Sequence, residues 1–578
     1  MSPMCSRSVL AALVACSWLG CSGEITQKSN HDPAASVGPG GPGGAAPAPG
    51  IPGVPPGAGP PPGAQACTPT ALPRARVWRL SHGQLKNTLV DVFQYAGTAV
   101  DALPPDARLD GFGNRADRLG LSPLLLEHYF SIGDEVAADV LRRSGEFLGC
   151  PVAQLGQGNC LADFLRKVGR RAWRRPLDDG DVQGLLGVYQ AAAKAEAPEA
   201  GLKSVITALL LSPNFLFRTE LGPVSDKPGG ATSLTDFELA SSLAYMLWDA
   251  PPDDALLDLA AAGKLHEPAT LAAEATRMFA SSKRGPDAMN AFLRQWLKIE
   301  DLPGQTKDNT LFPFYSAEVG QDLLEETRLL FNDVVFAPGG DRSVRTLFTS
   351  SKGFVNARTA AIYGVDGKGL DPKNPGLSKV DLDDKRRRGL LTSGGFLSAH
   401  AGGDATKVVD RGAFLREEFL CAEVPAPPQN FKFEDAAITE DMTAREKLLI
   451  HAKNPACGSC HHLFDGIGFA LENYDAVGRF RETEKGKTID PTGVLPLPEG
   501  GEISFANFVD LVDQLAKKPD IYNCFATQYL SYATGRGMRE IDSCERANLL
   551  ATFAQSGYRV DGLVVALVTS PAFTTRKN

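Results

Sequence analysis

The chain has 578 residues, far more than one hydrophobic core usually serves, so several helical modules in succession are expected. With 43% hydrophobic and 22% charged residues, its body has the composition of ordinary soluble protein. The formal net charge of -9 argues against a nucleic-acid partner, which would favour a basic face.

The first residues carry an export signal. Arg7 supplies a positive start, and residues 9–19 form an apolar stretch too short to span a bilayer, so residues 1–20 read as a signal peptide. Leu19-Gly20-Cys21 suggests cleavage before Cys21 and acylation of that cysteine, which would make the membrane a partner through an N-terminal lipid. Cys16 is a second candidate, and an ordinary cleaved signal with Cys21 free or disulfide-bonded is the alternative. Residues 21–66 then read as a lipid-anchored linker. Between 34 and 64 they are nearly all Gly, Pro, Ala and Val, a composition that cannot bury enough apolar surface to offset the entropy of ordering. As a polyproline-like tether this segment would reach about 90 Å, at about 3 Å per residue. The expected location is the cell envelope, as an exported lipoprotein, periplasmic or surface-exposed.

Beyond the tether the pattern is mainly α: serial helical modules with few short strands. In the first domain, 67–149, Ser81 can cap a helix whose apolar stripe is Leu85, Leu89, Val92 and Phe93. The second, 150–224, has the stripe Phe164, Leu165, Val168 and Ala172, stopped by Pro176. Asp178 can cap the next helix, with Val182, Leu185, Leu186 and Tyr189, and Leu202, Val205, Ile206 and Leu209 make a third, ended by Ser212-Pro213. The third domain, 230–365, opens with the capping box Thr235-x-x-Glu238 before Leu239, Leu243, Met246 and Leu247; Phe292, Trp296 and Leu297 mark a later buried face. A fourth domain is expected at 380–485 and a C-terminal helical one at 500–576. ALLLSPNFLFR at 208–218 matches ALVTSPAFTTR at 566–576, which suggests either two related modules or two independent helix stops. Some short extended pieces are expected in the loops around 424–433 and 488–503, where proline-rich and Asp-Pro-Thr-Gly segments forbid long helices. The arginine runs Arg170, Arg171, Arg174, Arg175 and Arg386, Arg387, Arg388 read as solvated or salt-bridged faces.

In an oxidising compartment, cysteines pair unless ligated. Cys150 with Cys160, and Cys524 with Cys544, each flank a helical pattern and are expected as structural disulfides, with Cys67 and Cys421 unassigned. Chemistry is concentrated in one segment. Cys457-Gly-Ser-Cys460-His461 is a complete C-x-x-C-H, the spacing that attaches haem c through two thioethers, with His461 as the proximal iron ligand. Leu463, Phe464, Ile467 and Phe469 would supply an apolar wall for the porphyrin. Met538 and His451 are candidates for a sixth iron ligand, with His400, His462 and Met442 as further alternatives. Two other readings compete: zinc held by Cys457 and Cys460 with two of His451, His461 and His462, and a plain C-x-x-C disulfide. No nucleophile elbow, His-Glu-x-x-His, phosphate-binding loop or dinucleotide fingerprint is present.

Across 76–576 the motifs resemble, in order, a family of large exported bacterial proteins made of five consecutive domains of unknown function, often found beside or fused to cytochrome-c-like modules. The resemblance rests on RLSHGQLKNTLVDVF, RRAWRRPL, LAYMLWDAPPDDALL, RRRGLLTSGGFLSAHA, RGAFLREEFLCAEVPAPP, CGSCHHLFDGIGFALENYDAVGRFR, YATGRGMREID and SPAFTTR. The family pattern that follows C-x-x-C-H is carried by Asp465, Gly468, Leu471, Glu472, Asp475 and Gly478. Gly466 stands where a proline is usual, from which a looser loop is expected. Met538 falls where relatives often carry another apolar residue. The resemblance implies a surface or periplasmic role with redox character and supplies no reaction. Three functions therefore stand as expectations: a haem-c protein that passes electrons to a partner or oxidises an extracellular compound; a non-catalytic, surface-anchored helical scaffold with the C-x-x-C closed as a disulfide; and a zinc protein.

Overall fold

The computed structural model describes residues 72–223, 230–425 and 438–577. The expected signal peptide, Cys21 and the linker lie outside the described residues, as does most of the extended piece at 424–433. The described residues all belong to one compact unit. Among the described residues no helix is long and apolar enough to cross a membrane.

Helices start where side-chain oxygens can take the orphan N–H groups of a first turn. Ser81 forms a reciprocal capping box with Gln84 at the start of α1 (His82–Phe93), and Leu85, Leu89, Val92 and Phe93 are buried on it. The helices α2 (Pro123–Arg142), α3 (Cys160–Ala172), α4 (Asp179–Ala195) and α5 (Pro198–Leu211) follow, α4 begun by a capping box of Asp178 with Asp181. Together these five helices enclose one hydrophobic core, built jointly by the first and second modules.

A second core joins everything after it. It takes in α6 (Asp236–Leu247), capped by Thr235 as expected, α7 (Pro268–Phe279), α8 (Arg284–Trp296), α9 (Ala317–Val335), α10 (Gly394–Ala399) and α11 (Val408–Leu420). At its centre Trp296 of α8 packs 4.6 Å from Phe419 of α11 and 5.3 Å from Phe525 of the C-terminal module. The modules legible along the sequence therefore share cores rather than each owning one.

Short strands clasp these parts. β1 (Arg76–Arg79) pairs antiparallel with β2 (Phe217–Glu220), and β3 (Ala231–Ser233) pairs with the strand Thr575–Lys577 at the far end of the chain. Lys577 N–H also donates to the Pro73 carbonyl at 2.7 Å. Glu220, almost fully buried, receives Arg76 at 2.9 Å and Arg576 at 2.7 Å, which fixes three distant segments around one carboxylate. Those guanidinium groups hold its carboxyl well below the usual range.

The matched segments have one local structure. In each, a helix ends at Ser-Pro, a single turn follows (Pro213–Leu216, Pro571–Thr574), its phenylalanine is buried, and the chain runs into a short strand carrying a buried arginine. Arg576 donates to the carbonyls of Ala572, Phe573 and Thr575. In the other segment that task falls to Arg174, which donates to Phe215 and Phe217, while Arg218 lies 4.2 Å over the Trp78 ring. The arginine runs thus correct one expectation. Arg170, Arg171, Arg386 and Arg388 do form surface ion pairs, but Arg174 and Arg387 are buried and spend their donors on backbone carbonyls.

A disulfide joins Cys150 to Cys160, the pair expected. Cys524 is bonded to Cys421, not to Cys544. The cause is packing. Cys421 turns off the end of α11 in a left-handed conformation, toward α11's neighbour helix Pro519–Thr534, whereas Cys544 begins the next helix and has its own disulfide.

Candidate functional site

The C-x-x-C-H lies between two helices of different character. Upstream is α12 (Ala444–His451), entered through a capping box of Thr443 with Glu446. Its start is held by polar contacts: Ala444 N–H to the Glu484 carboxylate at 3.1 Å, Lys487 to Glu446 at 2.7 Å, and Arg445 to Asp490 at 3.3 Å. None of its residues is buried, although it carries Leu448, Leu449 and Ile450 in a row; Leu449 is 50% exposed. Downstream is α14 (Asp465–Ala470), which is sunk into the core through Ile467 and Ala470.

The motif itself is α13 (Pro455–His461). Proline suits the first turn, where its missing N–H is no loss, and the Asn454 carbonyl accepts from Cys457 N–H at 3.0 Å. Cys457 and Cys460, three apart on this helix, are both free thiols; Cys457 is buried and Cys460 half-buried. The structure therefore pairs Cys421 with Cys524 and Cys150 with Cys160 while leaving the motif thiols unjoined.

His461 closes the helix, and Asp465 at the start of α14 lies one turn on. Both Asp465 carboxylate oxygens are within reach of His461 Nδ1, at 3.0 and 3.1 Å. An ionised carboxylate only accepts, so in the neutral ring Nδ1 carries the proton and Nε2 keeps the lone pair that could bind a metal. Asp465 is nearly buried; burial pushes its carboxyl up and the neighbouring imidazole pulls it back. Phe464 packs 5.3 Å from the His461 ring.

The backbone beneath the site is set by close approaches. A Cβ on Gly412 of α11 would come within 2.3 Å of the Phe464 carbonyl, and one on Gly468 within 2.3 Å of the Val408 carbonyl, so α11 and α14 cross with almost no side chain between them. Gly466 corrects another expectation. It does not loosen a loop: it lies inside α14, where a Cβ would approach the Val494 carbonyl of β4 (Gly493–Pro496) to 2.4 Å. The remaining motif residues are structural. Glu472 pairs with Arg481 at 2.9 Å, Asp475 accepts from the backbone of Val477 and Arg479, and Leu471 is in the core.

Of the ligand candidates, the structure brings His451 to the motif: its ring centre is 4.7 Å from that of His461, edge to face. Two metal–nitrogen bonds of about 2 Å each on opposite sides of one iron would hold the ring centres further apart, so His451 stands beside His461 rather than across from it. Met538 is in a single 3-10 turn whose other residues, Arg539 and Glu540, pair with Glu423 and Arg115. His400 packs between Phe396 and Phe414 and contacts the Leu297 carbonyl at 2.8 Å; burial pushes it down to about 4. His462 is exposed, with Nδ1 facing its own helix, and Met442 is half-buried before α12.

The apolar wall also differs from expectation. Ile467 faces the core and Phe469 is covered by Arg445 at 4.5 Å, so of the expected wall Phe464 and the half-buried Leu463 stay beside the motif, and α12 adds uncovered apolar side chains. The local signal for that wall was present as Leu-Leu-Ile ahead of the motif. Among the described residues no group of three or more His, Cys, Asp or Glu side chains is gathered as a metal site.

Five family models, each described as a protein of unknown function, match successive segments: DUF1587 over 78–142, DUF1595 over 160–220, DUF1592 over 234–365, DUF1588 over 387–484 and DUF1585 over 501–573. The C-x-x-C-H falls within the DUF1588 segment. No curated protein and no solved structure matches the chain.

Proposed function

The chain belongs to the family of proteins built from these five domains of unknown function in succession, and on that premise we propose that it is an exported, lipid-anchored carrier of one c-type haem, serving electron transfer or oxidation of an extracellular compound. The observation that carries this reading is the pair of unjoined thiols on one helical turn, followed by an imidazole whose Nδ1 is already taken by a carboxylate. Thiol, thiol and free imidazole nitrogen are the donor set that covalent haem attachment requires, and the residues fit it. Cys457 and Cys460 would hold the group through thioethers and His461 through Nε2. When bound, it supplies one-electron chemistry at a potential set by axial ligation, hydrogen bonding and burial.

The chain's own residues do the rest. Asp465 fixes the His461 tautomer and ring direction, the Gly412–Gly468 crossing fixes the floor, and Leu448, Leu449 and Ile450 offer the apolar cover that a porphyrin face needs. The disulfides Cys150–Cys160 and Cys421–Cys524 are compatible with export, and Cys21 is the anchor in this reading.

The test is a pyridine haemochrome spectrum of protein made with the cytochrome-c maturation machinery. One covalent haem per chain is expected, and none in the Cys457→Ala/Cys460→Ala variant. Colourless wild-type protein overturns the proposal. A mass lower by about two hydrogens across Cys457 and Cys460 would then favour the scaffold reading, and stoichiometric metal released by chelator the zinc reading.

A further inference from the structure

Asp465 is placed to do more than orient a ring. The residue is 6% exposed, both of its oxygens face His461 Nδ1, and among the described residues this is the one side-chain hydrogen-bond partner it has. A carboxylate withdrawn from water concentrates its interaction on the donor it has, because the local dielectric is low and, among the described residues, no Lys or Arg pairs with it. Arg416, on the facing helix α11, instead donates to the carbonyls of Leu463 and Pro496. A carboxylate that accepts from Nδ1–H raises the electron density at Nε2 and makes the imidazole a more basic ligand than one bonded to a neutral carbonyl.

We propose that Asp465 is a positioning residue that sets the iron potential of this site low, by giving the His461 ring partial imidazolate character through the Nδ1–H hydrogen bond. This rests on the haem reading above. A more basic axial nitrogen favours the ferric state, so the group held here would act as a donor toward partners of higher potential and would resist reduction by weak reductants. The sequence pattern hides this role, because Asp465 reads there as one of several family positions; the fold shows that Asp475, in the same pattern, spends its carboxylate on a turn and on Arg479.

The experiment is a spectroelectrochemical titration of haem-loaded wild type, Asp465→Asn and Asp465→Glu, each first checked for covalent haem. The Asn variant keeps the shape and loses the charge; its midpoint potential is expected to rise clearly above wild type. The Glu variant, which restores the charge, is expected to return most of the way. If the Asn chain does not fold, Asp465→Ser, still a suitable first-turn residue, carries the same expectation. Wild-type protein without haem removes the functional proposal itself. Haem-loaded variants with the wild-type potential overturn this inference alone, and reduced haem yield at an unchanged potential would show a structural role only.

Discussion

Arg411 and Glu326 are both charged side chains taken out of water, and the fold treats them oppositely. Arg411, with no exposed surface, donates to five carbonyls, those of His400, Leu471, Tyr474, Leu397 and Asp475, so every N–H of its guanidinium is used. Burial lowers it only to about 10, and it stays charged at neutral pH. Glu326, on the buried face of α9, has one carboxylate oxygen without a partner, and burial pushes it up to about 7. The sign of the consequence follows from proton binding. The folded chain holds this proton more tightly than the unfolded one, so the group's contribution is complete below about pH 4.3 and is lost as pH rises through about 7. The loss is about 3 kcal/mol for a shift of this size. Urea unfolding of wild type and Glu326→Gln between pH 5 and 8.5 checks it: the two stability curves are expected to diverge as pH rises from 5 to about 7, with the variant gaining relative to wild type over that range and keeping the gain above it. Parallel curves would dismiss the argument.

At the scale of elements, the site depends on how closely α11 and α14 approach. Gly412 and Gly468 mark equally close approaches, and Gly412→Ala forces the Phe464 carbonyl, a backbone atom, to move. The expected loss is about 1–3 kcal/mol, read as a lower urea midpoint at an unchanged slope. Gly184, exposed on α4 with open space around its Cβ position, is the control. Gly184→Ala is expected to stabilise by about 0.4–1 kcal/mol through the unfolded state. If Gly412→Ala proves as benign as Gly184→Ala, the two helices do not constrain one another as described. By contrast α12, pinned by ion pairs and burying nothing, is the part of the site that a bound group would cover.

For the whole molecule, domain order along the chain and cores in space do not coincide. The DUF1588 segment shares its core with the C-terminal module: Leu415, Phe419 and Ile467 belong to the same buried cluster as Phe508, Leu511 and Ile521, and the Cys421–Cys524 bond spans 103 residues between the two. A fragment of residues 387–484, made alone, would expose one side of that core. It is expected to show no cooperative unfolding transition by circular dichroism. A fragment with a sharp transition would mean that the segment is a domain in its own right. The clasp of Glu220 by Arg76 and Arg576 extends the same interdependence to the two ends of the described chain.

Local chemistry made much of this legible from the residues alone. The caps Ser81 and Asp178, the capping box at Thr235, apolar stripes of helical period and the Ser-Pro stops depend on neighbours a turn or two away, and the structure keeps each as read, with the C-x-x-C-H on one short helix. What only the tertiary structure decided lies between segments far apart in sequence: Cys421 as the partner of Cys524, Arg174 and Arg387 turned inward, Gly466 held against β4, and the two shared cores. Asp465 belongs to both. Its four-residue spacing from His461 was visible, but its burial, which leaves its charge to that one imidazole, is created by α14 sinking into a core whose other walls come from distant parts of the chain.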